Sequence, residues 1–248
     1  MTPAVTVLGS SGMYATTDRA CAGYLLELND AHVWMDAGAG TWRNLVAQLD
    51  YGSLDAVLLT HRHPDHTTDV FQAFHARQYG DSGPLAPIPL WAPAETLERL
   101  CAFGGELEAA FELRAITPGD TLDVGGARFS FVSMAHPVDT LGVRVELDGA
   151  VLAYSSDTGP DANLSALAHE ADLFICEATL QDSDKSWEGH TSASQAGALA
   201  AQLRVHRLML THLPPGRDAG VSLDEARRTC GDVPVELATD GMRYEVGT

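Results

Sequence analysis

Four side chains that can bind metal ions lie within six residues of this sequence. They are His61, His63, Asp65 and His66. A short apolar run precedes them and predicts a buried strand that ends where they begin. Because side chains alternate along an extended segment, His61 and His63 face the same side and can share one ion. Pro64 is typical of the first turn of a helix. Asp65 and His66 therefore point elsewhere, and the pattern indicates sites for two ions at a strand-to-helix junction.

Three further candidate ligands come later in the chain, each at the end of a predicted strand. They are His136, Asp157 and His212. Taken alone, His136 is typical of a structural histidine, and Asp157 within Ser-Asp-Thr-Gly is typical of an aspartate-capped turn. Nitrogen and oxygen donors without a thiolate suit zinc, and they suit manganese as well. The four cysteines are far apart and form no C-x-x-C pair, which indicates reduced structural thiols.

The run His-Arg-His-Pro-Asp-His at 61–66 resembles the His-x-His-x-Asp-His signature of the metallo-β-lactamase superfamily. The resemblance implies an α/β (α+β) fold, a four-layer αββα sandwich with a two-metal site at one sheet edge. The implied ligands are His61, His63 and His136 for one metal, Asp65, His66 and His212 for the second, and Asp157 as a bridge between them. All of these positions are filled in the expected order, between Val5 and about Met242.

Further motifs resemble the RNase Z-like branch of this superfamily, which includes small cyclic-nucleotide phosphodiesterases. They are His-Pro-x-x-x-x-Gly-x-Arg from His136 to Arg144, Ser-Asp-Thr-Gly around Asp157, Gly-His-Thr around His190 and Leu-Thr-His-Leu-Pro-Pro around His212. This resemblance implies hydrolysis of a phosphodiester, in which Asp65 orients the attacking water and His190 protonates the departing oxygen. Arg144 is a further candidate for substrate binding. Glu177, at the end of a predicted strand, is a candidate for orienting His190.

Two other activities fit the same residues. One is 3′-processing of transfer RNA by an RNase Z-type endonuclease, and the other is hydrolysis of a carboxylic ester or lactone. The net charge of −19, with 14 arginines and a single lysine, offers no basic surface for a large nucleic acid. Only 21 positions separate His136 from Asp157, which leaves no room for the long basic arm common in RNase Z enzymes. These features favour a small phosphodiester, with a cyclic nucleotide as the leading candidate.

Composition and length are those of a globular protein. The 248 residues are 45% hydrophobic and 20% charged, which is typical of one α/β domain, predicted over 1–248. No stretch approaches the roughly 18 apolar residues of a membrane helix. The first eight residues lack the basic region and long apolar core of a signal peptide. The expected location is therefore the cytoplasm, and a homodimer is compatible with these features.

The elements that position the first motif can be predicted from local patterns. Residues 22–28 and 31–35 read as a hairpin that turns at Asn29-Asp30. Asp36 follows this hairpin and either supports the metal loop by hydrogen bonding or caps a helix near Thr41, and the supporting role is favoured. The helix at 42–49 is expected to present Leu45, Val46 and Leu49 on one face.

The second half of the chain alternates strands and helices in the same way. The glycine- and proline-rich loop Gly80 to Pro89 suits the rim of the site, and 111–116, 121–124 and 127–134 are predicted as strands of a second sheet. Ser192 and Gln195 form a capping-box pattern at the start of a helix that follows His190. Further strands are predicted at 5–8, 90–92, 141–147, 151–155, 173–177, 207–210, 235–237 and 242–246, and further helices at 94–102 and 223–230.

Overall fold

The protein folds into two mixed β-sheets of seven strands each, seen in a computed structural model that describes residues 3–247. The first sheet has the order β14-β1-β2-β3-β4-β5-β6 and the second the order β13-β12-β11-β10-β9-β8-β7. The first contains β1 (Ala4–Gly9), β2 (Gly23–Leu28), β3 (Ala31–Met35), β4 (Ala56–Leu58), β5 (Ile88–Ala92), β6 (Phe111–Ala115) and β14 (Arg243–Glu245). The second contains β7 (Thr121–Val124), β8 (Ala127–Ser133), β9 (Leu141–Leu147), β10 (Ala150–Tyr154), β11 (Leu173–Glu177), β12 (Leu208–Thr211) and β13 (Val235–Leu237).

Helices cover the outer face of each sheet. They are α1 (Thr41–Gln48), α2 (Pro64–Thr67), α3 (Val70–Tyr79), α4 (Ala94–Gly104), α5 (Leu164–Ala168), α6 (Ala193–Leu203) and α7 (Ala219–Thr229), with 3₁₀ turns at Tyr51–Ser53 and Leu107–Ala109. One core, which includes Tyr24, Phe129 and Val143, lies between the sheets. A second core joins the first sheet to α1, α3 and α4, and a third joins the second sheet to α5, α6 and α7. The layers are therefore αββα, as the motif resemblance implies.

Local chemistry explains the elements that the sequence predicts well. Asn29 adopts a φ of 52° in the β2–β3 turn, a left-handed conformation that asparagine tolerates. The Ser192 hydroxyl accepts from the Gln195 amide, and the Gln195 side chain accepts from the Ser192 amide, which confirms the predicted capping box of α6. These capping contacts fix where α6 begins, three residues after His190.

Three expectations about the fold are wrong, and one helix was missed. Phe111–Ala115 belongs to the first sheet, because the crossover through α4 returns the chain beside β5 and parallel to it. Val46 is exposed, because α1 buries only a narrow stripe that includes Leu45. Helix α7 begins four residues before 223, since the Asp218 carboxylate accepts from the Gly220 amide and caps it. The five-residue helix α5 was not predicted.

The loop Gly80 to Pro89 does not form the rim of the site. Strands β4 and β5 are parallel, so α3 carries the chain from the C-terminal end of β4 back to the N-terminal end of β5. There the guanidinium of Arg77 donates to the carbonyls of Tyr51, just before β4, and of Ala86. The loop therefore lies at the end of the sheet opposite to residues 61–66.

Residues 1–2 and 248 lie outside the described part, so the single domain over 1–248 stays a prediction. No helix within residues 3–247 has both the length and the apolar character needed to cross a membrane.

Candidate metal centre

Loops from both sheets bring the predicted ligands to one edge of the molecule. His61 and His63 follow β4, and Asp65 and His66 lie in the short helix α2. The other three follow strands β8, β10 and β12 of the second sheet. The structure gathers His61, His63, His136 and Asp157 into one group and Asp65, His66 and His212 into another, with the candidate donor atoms of each group within 4.8 Å of one another.

Imidazole nitrogens converge in both groups. His63 Nδ1 lies 3.1 Å from His61 Nε2 and 3.2 Å from His136 Nε2. In the second group, His212 Nε2 lies 3.4 Å from His66 Nε2 and 3.2 Å from Asp65 Oδ2. Histidine nitrogens together with carboxylate oxygens are the donors that zinc and manganese accept in proteins.

Asp157 lies between the two groups and is 2% exposed. Its Oδ1 is 3.3 Å from His66 Nε2 and 3.4 Å from His212 Nε2, while its Oδ2 is 3.6 Å from His61 Nε2 and 3.9 Å from His136 Nε2. Among the described residues, Oδ1 has no partner with the geometry of a hydrogen bond. A buried carboxylate oxygen without a donor is costly, and a cation between the two groups would remove that cost. The donor set therefore fits metal ions.

Asp157 and three of the neighbouring histidines have the protonation states that a cation requires. Burial would raise the pKa of Asp157, but His212, His66 and His61 hold it well below its usual range, so it is ionised. Burial lowers the pKa of His61, His63 and His136, which favours neutral rings. A neutral imidazole and an ionised carboxylate are the forms that bind metal ions.

Asp36 anchors His66 from behind. The Asp36 carboxylate is fully buried and accepts four hydrogen bonds, from the Thr60 amide (2.8 Å) and hydroxyl (2.9 Å), His66 Nδ1 (2.8 Å) and the Tyr154 hydroxyl (3.0 Å). Because a carboxylate can only accept, the Nδ1 proton of His66 points at Asp36 and Nε2 faces the site. Burial would lower the pKa of His66, but Asp157 and Asp36 outweigh it and raise the pKa well above its ordinary value. The cap of α1 comes from Asp69 instead, which accepts from Gly40 and Trp42.

His190 lies beside both groups, at the start of the turn that leads into α6. Its Nδ1 is 2.7 Å from Glu177 Oε1, and Glu177 is fully buried at the end of β11. Glu177 also accepts from the amides of Thr158 (2.6 Å) and Thr179 (3.3 Å), so its carboxylate is fixed. The free nitrogen of His190 is directed at the site, where it forms a compact set of donors with Asp157 and His212. Glu177 therefore contacts His190, as its position at the end of a predicted strand suggests.

Supporting contacts that sequence reasoning missed come mostly from the backbone. The Gly189 carbonyl lies 2.8 Å from His136 Nδ1, the Thr179 hydroxyl lies 2.9 Å from His212 Nδ1, and the Met13 amide donates to Asp65 Oδ2 at 2.8 Å. A backbone carbonyl or amide has no residue type, so the sequence carries no signal for it. Three non-glycine residues of the site loops adopt left-handed φ angles between 53° and 58°: Asp36, Ser156 and His212. Such conformations cost about 1–3 kcal/mol each and cluster at functional sites.

Arg144 does not reach the site, contrary to the expectation from its motif. It lies on β9 between Val143 and Val145, which face the core between the sheets, so alternation turns Arg144 to the helix-covered face. There its guanidinium donates to the carbonyls of Leu167 and His169 at 3.1 and 3.2 Å. Arg144 therefore anchors the end of α5.

The family of this chain follows from its sequence as a whole. A family model described as the Beta-lactamase superfamily domain matches residues 31–213, which include all seven candidate ligands. The chain belongs to the β-lactamase superfamily. The uncharacterised protein ML1173 of Mycobacterium leprae is 35% identical, and the alignment covers 99% of this chain and 89% of that protein.

Two further relatives of this chain carry functional names. The probable metallo-hydrolase YhfI of Bacillus subtilis is 27% identical, with 97% of this chain and 99% of that protein aligned. The crystal structure of YhfI, a metallo-β-lactamase fold protein, matches with a TM-score of 0.90 at 26% identity over 99% of this chain and all of that one. A ribonuclease Z of Kineococcus radiotolerans is 29% identical, with 83% of this chain and 82% of that protein aligned. Together, the family and the fold support a metal-dependent hydrolase.

Proposed function

We propose that this protein is a dinuclear metal-dependent phosphodiesterase that acts on a small phosphodiester, with a cyclic nucleotide as the leading candidate. The observation that carries the proposal is the placement of His190, which Glu177 holds beside both groups of candidate ligands. Cleavage of an alkyl phosphodiester needs a proton for the departing alkoxide, and a positioned imidazole can deliver it.

The proposal assigns the ligands as the motifs imply. His61, His63 and His136 would hold one metal ion, Asp65, His66 and His212 a second, and Asp157 would bridge them. Divalent ions bound there, zinc or manganese, supply Lewis-acid chemistry that activates water and neutralises charge on the phosphate. The positive charge of two divalent ions exceeds the negative charge of the Asp65 and Asp157 carboxylates. An anionic diester is therefore attracted locally although the whole chain carries a net charge of −19.

Two side chains then have roles in the chemical step. Asp65 Oδ2 accepts the Met13 amide at 2.8 Å, which fixes the carboxylate so that it can orient the attacking water. His190 donates its Nδ1 proton in a hydrogen bond to Glu177, so Nε2 is the nitrogen that donates to the leaving oxygen. The buried Glu177 carboxylate thereby holds the His190 ring in one orientation relative to the site.

The shape of the chain around the site supports a small substrate. Between His136 and Asp157, strands β9 and β10 are joined by a tight turn at Asp148-Gly149. No residue of this segment extends outward as an arm. A protein that grips RNA contacts many phosphates with basic residues, and each lost contact removes a salt-dependent share of affinity. This supports the small diester over precursor transfer RNA, the substrate class of the RNase Z alternative.

Comparison of kcat/KM for cyclic AMP and for a precursor transfer RNA, at one salt and one metal concentration, tests the proposal. We expect the small diester to be cleaved more efficiently. A lactone and a carboxylic ester in the same panel test the ester-hydrolase alternative, and faster turnover of either would replace the phosphodiesterase assignment.

The metal assignment has its own test. Chelator treatment should abolish turnover, and addition of zinc or manganese to about two ions per chain should restore it. Full activity in metal-free protein would overturn the dinuclear site. A cytoplasmic location and a homodimer belong to the same proposal, and cell fractionation and sedimentation test them.

A further inference from the structure

A tryptophan stands at the mouth of the candidate metal centre. Trp187 is 49% exposed, whereas Trp34 and Trp91 are buried in the cores. Its ring centroid lies 4.8 Å from that of His190 and 6.2 Å from that of His136. Because an exposed indole contributes little to the core, the contact of Trp187 with two site histidines indicates a role at the site.

The backbone holds Trp187 in place. Its indole packs on Gly189 so closely that a Cβ at Gly189 would lie 2.8 Å from the ring. The carbonyl of Glu188 packs on Gly159, where a Cβ would come within 1.8 Å of it. Gly159 in turn donates its amide to the carbonyl of Ala135, next to His136. Trp187 is therefore fixed to the same two loops that carry His136 and Asp157.

Trp187 lines two cavities. A cavity of about 360 Å³ is lined by His136, Pro137, Asp161, Trp187, Glu188 and Gly189 among others. A second cavity of about 390 Å³ shares Asp161, Trp187 and Glu188 with it. The carboxylates of Asp161 and Glu188 have no ion-pair partner within residues 3–247. Two unneutralised carboxylates disfavour a second phosphate in this space and favour a neutral group with N–H donors.

We propose that Trp187 is the platform on which the nucleobase of the substrate stacks while its phosphate is held at the metal centre. The inference rests on the phosphodiesterase function proposed above and names the part of the substrate that the metal ions do not bind. A purine or pyrimidine offers a flat π-face for the indole, and its N–H donors, such as the exocyclic amino group of adenine, suit Asp161 and Glu188. Because every base has such a face, stacking on Trp187 adds affinity for nucleotides in general.

The kinetic test uses two diesters that differ only in the base. One is cyclic AMP, and the other is the same cyclic ribose phosphate with a methoxy group in place of adenine. Trp187→Ala should raise KM for cyclic AMP by roughly 5- to 150-fold, the loss expected for one stacked base, with a smaller change in kcat. KM and kcat for the methoxy analogue should stay within about twofold. Phe103→Ala, which removes another exposed aromatic ring on α4, is the matched control and should leave both substrates unaffected.

Equal losses on the two diesters would overturn the stacking role, because they would show that Trp187 acts only by positioning His190. Trp187→Phe provides a second variant that keeps a flat ring, and it should recover most of the affinity for cyclic AMP. If the wild-type protein cleaves neither diester, the phosphodiesterase function itself fails, and the binding measurement below still decides whether bases stack here.

The binding test does not depend on turnover. Adenosine 5′-monophosphate should quench the tryptophan fluorescence of the wild-type protein in a saturable way, and ribose 5-phosphate should not. The quench should be absent in Trp187→Phe, which keeps the other three tryptophans. Equal quenching by ribose 5-phosphate, or full quenching in the variant, would exclude Trp187 as the platform.

Discussion

Removal of the Asp36 carboxylate should weaken both the fold and the metal centre. Asp36→Ala deprives four buried donors of their acceptor: the amide and hydroxyl of Thr60, Nδ1 of His66 and the hydroxyl of Tyr154. A buried donor left without a partner costs about 1–3 kcal/mol, although some of the donors can turn to one another or to water. Loss of one partner from a buried charged network typically costs about 3–5 kcal/mol. We expect a loss of that size in the free energy of unfolding.

The same change should lower the affinity for metal. Without Asp36, the His66 ring can rotate or exchange its proton between nitrogens, so Nε2 no longer faces the site in a fixed form. Loss of such a supporting carboxylate lowers metal affinity by roughly 10- to 100-fold. Asp36 also adopts a φ of 57°. Asp36→Asn tolerates that conformation, so this variant separates backbone strain from the lost charge.

Two measurements check this prediction. Urea denaturation of chelator-treated protein gives the free energy of unfolding, and competition with a chromophoric chelator gives the zinc affinity. Asp123→Ala is the control, since this exposed carboxylate lies 3.5 Å from Arg128 at the surface and its loss should cost less than about 0.5 kcal/mol. An Asp36→Ala protein with stability within about 1 kcal/mol of wild type and unchanged zinc affinity would refute the reasoning.

Three further predictions concern His190, Glu177 and the thiols. His190→Ala should keep both metal ions but lower turnover by roughly 10²–10⁴-fold, and less for a nitrophenyl diester whose leaving group needs no proton; metal content that falls in step with activity would make His190 a ligand instead. Glu177→Gln should lower turnover by roughly 10- to 100-fold and alter the pH–rate profile at unchanged metal content, whereas an unaltered profile would separate Glu177 from proton transfer. Burial raises the pKa of the Cys21 thiol to about 12, so a maleimide at pH 8 should label the partly exposed Cys101 first, as peptide mapping can show; prior labelling of Cys21 would contradict the packing.

The motif region was predictable because its spacing alone constrains the geometry. When a strand runs into a helix at Pro64, His61 and His63 face one ion site and Asp65 and His66 a second, and the structure shows that arrangement. The β2–β3 hairpin was predictable for a similar reason, since Asn29-Asp30 fixes the turn between two apolar runs. The order of the remaining motifs identified His136, Asp157 and His212, which no local pattern would have separated from structural residues.

Features that depend on long-range packing could not be read from the sequence. The apolar pattern of 111–115 predicts a strand but not the sheet that it joins, which is decided by the crossover through α4. The orientation of Arg144 depends on which face of β9 meets α5. The five residues of α5 are too few to show a period, and its Asn163 cap is as typical of a turn.

The ligand loops of the two sheets meet at one edge, so an ion held by both would act as a clamp across the whole molecule. A ligand that binds only the folded state adds RT ln(1 + [L]/Kd) to stability, about 2.7 kcal/mol when its free concentration is 100 times Kd. Total stability of a domain is only about 5–15 kcal/mol. The lifetime of this protein in a cell would then depend on the metal supply. Scarcity of metal would both inactivate the protein and expose it to proteolysis.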